Sequence, residues 1–253
     1  MSISLKVAGI VLLGAIAVNL RAAAPESVYE LRIYTTPPGK MAELQARFRE
    51  HTTKLFERHG MANVGYWLPA DAAEGNKLYY VLRHASREAA TVSWRAFNAD
   101  PEWQAVRQAS EANGPLVVQV DSIFLAPADY SPATAERSGG PHVFELRTYT
   151  TNDGKLEALD ARFRGHTIAL FARQGMTSLF YWHPTDAGKG AGRTLIYLLA
   201  HANPDAAAKS WAAFRADPEW IKVRDESEQG GKLLVPDGVK SVMLVPTDFS
   251  GLQ

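Results

Sequence analysis

The segment YELRIY at 29–34 alternates between hydrophobic and polar positions, which is the period of a β-strand. Hydrophobic residues then recur at intervals of three and four through Met41, Leu44, Phe48, His51 and Leu55, a spacing that predicts a helix with one buried face. Gly60 follows where a helix C-terminus favours a positive φ. The segments NVGYWL at 63–68 and LYYVLRH at 78–84 predict two more strands.

The next part of the chain completes one structural unit. The segment at 86–99 predicts a second helix, and Asp100 followed by Pro101 predicts the N-cap and first residue of a short third helix. The segment SIFLA at 122–126 predicts a closing strand. The order βαββααβ is close to the ferredoxin-like split βαβ, in which helices cover one sheet face and the other face needs cover.

The whole unit occurs twice. VYELRIYTTPPGK at 28–40 returns as VFELRTYTTNDGK at 143–155, and WRAFNADPEW at 94–103 returns as WAAFRADPEW at 211–220. The second copy has two extra residues within DAGKGAGRT, as expected for a surface loop. We therefore predict an α+β protein of two tandem ferredoxin-like domains, 25–130 and 143–253, joined by a linker at 131–142. Their uncovered sheet faces would pack together in an intramolecular pseudo-dimeric α+β barrel.

The N-terminus predicts export. Lys6 precedes an apolar run from Val7 to Leu20, and Ala22–Ala24 follow, which is the pattern of a secretory signal peptide. We interpret residues 1–24 as this signal and expect a periplasmic protein. The alternative is an uncleaved N-terminal membrane anchor.

The composition limits the classes of partner and chemical site that the protein can have. The chain has 253 residues, 46% hydrophobic and 21% charged, which is typical of a folded protein. Lys+Arg and Asp+Glu both total 27, so no basic excess indicates a nucleic-acid partner. The absence of cysteine excludes disulfides, thiolate metal sites and a cysteine nucleophile. No phosphate-binding loop, nucleophile elbow or dinucleotide fingerprint is present.

The repeated segments YELRIY and FELRTY, HTTKLFERHGM, and the twice-present W-x-x-F-x-x-D-P-E-W motif resemble the NIPSNAP family of the dimeric α+β barrel superfamily. The resemblance covers 28–130 and 143–250. It implies ferredoxin-like units with paired sheets. The wider superfamily includes cofactor-free monooxygenases, haem-degrading enzymes, isomerases and ligand binders, so the resemblance implies no single reaction. We expect no cofactor.

His51 and His166 are the candidate catalytic residues, because each copy keeps a histidine at the same place within the predicted buried helical stripe. One interpretation is a hydrogen-bonded core histidine without chemistry. The other is a general base in a pocket between helix and sheet.

The candidate substrate-binding residues lie on the strands. Arg32 and Tyr34, with Glu30, form a polar strand face, repeated as Arg147 and Tyr149 with Glu145. This face is either a self-satisfied Glu–Arg ladder or the lining of a cavity in which arginine holds a carboxylate or enolate. Whether this face or the face of Leu31 lines the barrel is left open.

Further candidates are the strand-end histidines His84 and His201, which share a strand face with Tyr80 and Tyr197, respectively. A metal site would need a third converging ligand, and none is evident, so we predict no metal.

The sequence thus predicts an exported protein that binds an unidentified small organic molecule, with a cofactor-independent monooxygenase or isomerase as the enzymatic form. No nucleic-acid or integral membrane partner is implied, and a homodimer is left open. The alternative is a non-catalytic interaction protein of the cell envelope. An exposed apolar patch on a helix face would favour that alternative.

Overall fold

A computed structural model describes residues 27–133 and 142–253. The predicted signal peptide and most of the predicted linker lie outside these ranges. Each copy contributes four strands to one sheet. These strands are β1 (Val28–Thr35), β2 (Ala62–Pro69), β3 (Lys77–His84), β4 (Gln119–Pro127), β5 (Val143–Thr151), β6 (Thr177–Pro184), β7 (Thr194–His201) and β8 (Leu234–Pro246).

The helices follow the same order in both copies. They are α1 (Met41–Arg47), α2 (Thr53–Arg58), α3 (Arg87–Ala99), α4 (Pro101–Ser110), α5 (Leu156–Arg162), α6 (Ile168–Arg173), α7 (Pro204–Ala216) and α8 (Pro218–Ser227). A π-helical turn joins α1 to α2 (Phe48–Thr52) and α5 to α6 (Phe163–Thr167), and short 3₁₀ turns (Ala72–Glu74 and Ala187–Lys189) lie between the second and third strands of each copy. Asp100 caps α4 by accepting from the backbone N–H of Glu102 at 2.8 Å, as the sequence predicts.

The eight strands form one closed barrel in the order β1-β3-β2-β8-β5-β7-β6-β4, and all neighbours are antiparallel. Two ladders join the copies, β2 with β8 and β4 with β6, each over three residue pairs. Closure leaves none of these strands with an unpaired edge. The predicted pseudo-dimeric α+β barrel is confirmed.

Strand alternation decides which face lines the barrel. Leu31 and Leu146 lie inside it with the indoles of Trp67 and Trp182. The opposite face, with Glu30, Arg32 and Tyr34, lies under the helices. The polar ladder therefore occupies the layer between helices and sheet, while the barrel interior is mainly apolar.

The predicted burial of His51 and His166 is wrong, because the first helix of each copy contains a π-helical turn. This turn is wider than an α-helical turn, so the residue that follows Phe48 on the inner side is Thr52. Thr52 is 1% exposed, whereas the His51 side chain is 42% exposed and His166 is exposed. The Thr52 hydroxyl donates to the Arg47 carbonyl at 3.1 Å, five residues back.

The two barrel walls differ at one aromatic contact. In the second copy the rings of Phe180 and Trp182 stack with centroids 4.7 Å apart. The corresponding residues of the first copy are Gly65 and Trp67, and the buried Trp67 indole folds over the glycine backbone. A Cβ atom at Gly65 would overlap that indole.

We expect Gly65→Ala to lower the free energy of unfolding by about 2 kcal/mol, because the methyl group forces a buried indole to move in a close-packed interior. Urea denaturation followed by tryptophan fluorescence measures the change. Gly188→Ala is the matched control, since a Cβ there meets nothing within 4 Å. Equal effects of the two substitutions would contradict the packing described for Trp67.

Candidate functional site

A buried carboxylate organises the layer between helices and sheet. Glu30 on β1 is 1% exposed and accepts four side-chain hydrogen bonds. The donors are Arg32 Nη1 at 2.5 Å and Ser122 Oγ at 2.7 Å on Oε1, and Trp94 Nε1 at 2.7 Å and His84 Nε2 at 3.0 Å on Oε2. This one side chain therefore links β1, β3, β4 and α3.

The second copy repeats the arrangement around Glu145. Its donors are Arg147 Nη1 at 2.5 Å, Ser241 Oγ at 2.5 Å, Trp211 Nε1 at 2.6 Å and His201 Nε2 at 3.0 Å. His84 and His201 are both buried, and each has an Nδ1 atom without a hydrogen-bond partner among the residues that the structure describes. Both histidines thus orient a carboxylate.

The donors keep Glu30 ionised. Burial alone would raise the pKa of the Glu30 carboxyl, but the hydrogen bond from His84 and the positive charge of Arg32 act in the opposite direction. Hydrogen bonds from Ser122 and Trp94 add to them, and the net result is a pKa of about 2. The same balance gives Glu145 a pKa of about 2.

A cavity of about 380 Å³ opens beside this network in the first copy, between the helices and the outer face of the sheet. Six aromatic rings line it: Tyr34, Phe48, Phe56, Trp94, Phe97 and Trp103. Three arginines, Arg32, Arg47 and Arg107, and the Thr52 hydroxyl contribute polar atoms. The cavity therefore combines an aromatic lining with positive charge.

Two of these arginines have unused hydrogen-bond donors. Arg32 lies 4.2 Å from the Trp94 ring centroid, and Arg47, which pairs with Glu111 at 2.8 Å, lies 5.2 Å from that of Trp103. The Nε atoms of Arg32 and Arg47 are buried and have no hydrogen-bond partner within 27–133 and 142–253. A buried N–H group is normally paired, so these two donors are unsatisfied in this structure.

In the second copy, the arginine equivalent to Arg32 forms a different set of hydrogen bonds. Arg147 Nε donates to the Tyr197 hydroxyl at 2.9 Å, so the donor that is open in the first copy is used here. At the position of Asn98, which lines the first cavity, the repeat has Arg215. The two copies share one framework and differ at Arg147 and Arg215, whereas the buried Arg162 Nε, like Arg47 Nε, has no hydrogen-bond partner among the described residues.

The predicted substrate-binding residues Arg32, Tyr34 and Tyr80 lie in two places, the lining of the cavity and the hydrophobic core. Arg32 and Tyr34 line the cavity of the first copy, and Tyr80 packs in the hydrophobic core beneath it. Arg147, Tyr149 and Tyr197 hold the same places in the second copy.

The two candidate catalytic histidines lie elsewhere. His51 is not among the residues that line the first cavity, although its neighbour Thr52 is. His166 lines a separate cavity of about 400 Å³ with Arg162 and Ser227. The structure thus does not bring His51 and Arg32 into one pocket, and the catalytic role of both histidines stays a prediction.

Arg47 was missed in the sequence, although it repeats. The chain has ARFREH at 46–51 and ARFRGH at 161–166, so Arg47 recurs as Arg162. The repetition of an arginine directly before the buried Phe48 and Phe163 is the sequence feature that could have identified it. Its side chain is only 4% exposed, which hydrophobic periodicity alone does not predict.

Within 27–133 and 142–253, no group of three or more His, Cys, Asp or Glu residues is arranged to hold a metal ion. In the same ranges, no helix has the length and apolar character needed to cross a membrane.

Comparison with known families decides the relationship. The NIPSNAP family profile matches residues 29–132 and 144–251, which is one match to each copy. The chain belongs to the NIPSNAP family. A search of curated proteins found no match.

Two solved structures with TM-scores of 0.55 show the same fold as this NIPSNAP chain. A provisionally assigned monooxygenase from Lactobacillus acidophilus is 13% identical, with a TM-score of 0.55, over 87% of this chain and 93% of that chain. An anthrone oxidase-like protein is 16% identical, with a TM-score of 0.55, over 88% of this chain and 92% of that chain. A NIPSNAP family protein from Agrobacterium tumefaciens is 23% identical, with a TM-score of 0.38, over 43% of this chain and 99% of that chain.

The buried carboxylates predict an acid-sensitive fold. Since the pKa of Glu30 is lowered from 4.5 to about 2, its stabilisation is fully present above pH 4.5 and is lost as the pH falls toward 2. We expect Glu30→Gln to cost about 3 kcal/mol near neutral pH, because it leaves donors unpaired. This difference from the wild type should shrink between pH 5 and pH 2.

Urea denaturation of both proteins at several pH values measures this difference. Asp248→Asn is the control, because Asp248 pairs with Arg49 at an exposed position and should cost little. A cost of Glu30→Gln that does not change with pH would contradict the lowered pKa.

Proposed function

We propose that this NIPSNAP-family protein binds a small aromatic organic anion in the cavity of its first copy. The observation that carries the proposal is the pair of buried, unpartnered Nε–H groups of Arg32 and Arg47, both on residues that line this cavity. Guanidinium groups bind planar carboxylates and enolates through two parallel hydrogen bonds. The aromatic lining favours a ring as the body of the ligand.

The size and charge of the cavity support the same ligand class. A volume of about 380 Å³ is at the lower end of the range for small-molecule sites. Its carboxylate, Glu111, is engaged by Arg47 and by Arg107, the latter at 3.2 Å, and Arg32 pairs with Glu30, so three arginine charges are balanced by two carboxylate charges. Arg32 is itself held by Glu30, which fixes the position of the guanidinium.

Our proposal for the reaction is a cofactor-independent oxygenation, with isomerisation as the simpler form that shares its first step. Loss of a proton from a CH₂ group next to a carbonyl gives an enolate, which the arginines would stabilise. O₂ then accepts four electrons from the substrate: one oxygen atom becomes the new carbonyl oxygen and the other leaves as water with the two hydrogens. The names of the monooxygenase and anthrone oxidase-like neighbours agree with this class.

The predicted role of His51 and His166 concerns the chemical reaction and not the binding of the ligand. His51 and His166 are exposed enough to exchange protons with solvent. Their proposed role is the proton transfer that precedes oxygenation. Export by residues 1–24 to the periplasm is also kept as a proposal.

The alternative, a non-catalytic envelope interaction protein, has less support. Among the described helices, the large hydrophobic side chains that are well exposed are Val92 on α3 and Ile221 on α8. They belong to different copies and are single residues, which are ordinary on protein surfaces.

The binding proposal is tested with 1-naphthoate, because Trp94 and Trp103 line the cavity and their fluorescence should change when an aromatic ligand enters. We expect Arg47→Gln to raise the dissociation constant about tenfold, since it removes a charged donor. The neutral 1-naphthalenemethanol should bind more weakly than 1-naphthoate to the wild type and should be little affected by the substitution.

Arg162→Gln is the matched control, because Arg162 is the equivalent arginine of the second copy. Retained affinity in Arg162→Gln supports the assignment to the first copy. An equal loss in both variants, or equal binding of the alcohol and the anion, would contradict it.

The reaction is tested with anthrone in an oxygen electrode, with anthraquinone followed by absorbance. We expect oxygen uptake above the uncatalysed rate and a decrease of about a hundredfold in His51→Gln or His166→Gln, whichever histidine transfers the proton. Naphthoate affinity should be the same in both variants as in the wild type. Unchanged turnover in both would remove the histidines from the mechanism while leaving the binding proposal intact.

A further inference from the structure

A third cavity, of about 290 Å³, lies inside the barrel at the end where the third and seventh strands begin. It is separated by the sheet from the cavity under the helices. Both copies line it, and they do so with different chemistry. The first copy supplies Leu31, Ile33, Tyr79 and Ile123, a wall that is almost entirely hydrocarbon.

The second copy supplies the hydrophobic Leu146, Ile196 and Val242 and, in addition, the polar part of the lining. The hydroxyl-bearing Thr148, Thr150 and Thr194 face the cavity together with Lys189 and Lys240. Lys240 lies on β8, and Lys189 belongs to the 3₁₀ turn of the longer β6–β7 loop. Neither lysine side chain forms an ion pair or hydrogen bond within the part of the chain that the structure describes.

Acidic groups at this end of the barrel are otherwise engaged. In the repeat, Glu74 and Asp121 occupy the positions of Lys189 and Lys240. Lys77 pairs with Glu74, and Gln119 Nε2 donates to Asp121 at 2.9 Å. Neither carboxylate is among the residues that line the cavity. The two lysines therefore remain available for an anion that enters the barrel.

We propose that this end of the barrel is a second ligand site, for a small aliphatic carboxylate. Its hydrocarbon chain would pack on the wall of Leu31, Ile33 and Ile123, and its carboxylate would lie at the mouth between Lys189 and Lys240. The threonine hydroxyls supply further donors. The cavity volume limits the ligand to a medium chain, and the site does not depend on the cavity beneath the helices.

Isothermal titration calorimetry with octanoate tests the proposal. We expect the double variant Lys189→Met/Lys240→Met to weaken binding about tenfold, because it removes two positive charges and keeps the side-chain bulk. Thr148→Phe, checked for native circular dichroism, should abolish binding by filling the cavity. Octan-1-ol should bind the wild type more weakly than octanoate does.

The control is Lys54→Met/Lys209→Met, which makes the same change in net charge at exposed helix positions outside the barrel. It should leave octanoate affinity unchanged, and saturating 1-naphthoate should not displace octanoate. No binding to the wild type, an equal loss in the control variant, or loss in Arg47→Gln instead would overturn the proposal. These results are independent of whether 1-naphthoate binds beneath the helices.

Discussion

The layer between helices and sheet depends on one buried carboxylate in each copy. Glu30 cannot be left unpaired at 1% exposure, and four donors from three strands and a helix meet this requirement. The same hydrogen bonds fix the guanidinium of Arg32 and the indole of Trp94, which are the groups a ligand would meet. The requirement that stabilises the fold therefore also shapes the cavity. Arg32 and Trp94, which both line the cavity, are held in place by the hydrogen bonds that satisfy the Glu30 carboxylate.

The architecture could be predicted because its signals are local and occur twice. Strand alternation around Leu31, the Asp100–Pro101 helix start and the duplicated DPEW segments each have a direct physical meaning. The barrel followed from the need of two apolar sheet faces for cover. The sequence does not decide which face of β1 points into the barrel. One face carries the hydrophobic Tyr29, Leu31 and Ile33. The other carries Glu30 and Arg32, which are compatible with either a buried network or a polar cavity.

The site was less predictable, for two physical reasons. The π-helical turn shifts the buried position from His51 to Thr52, and a periodicity of three and four contains no sign of one wider turn. Burial of Arg47 depends on Glu111 and Trp103, which lie more than fifty residues away in sequence. The pairing of His84 with Glu30 likewise joins two strands whose register is known only in three dimensions.

The covalent joining of the two copies has an evolutionary consequence. A symmetric homodimer presents each wall twice, so any lysine gained at the barrel mouth appears on both sides of the axis. In a tandem chain each copy mutates alone, and Glu74 and Asp121 in the first copy occupy the repeat positions of Lys189 and Lys240 in the second. The tandem arrangement thus removes the symmetry constraint from this barrel, so that lysines line its interior from one copy and not from the other.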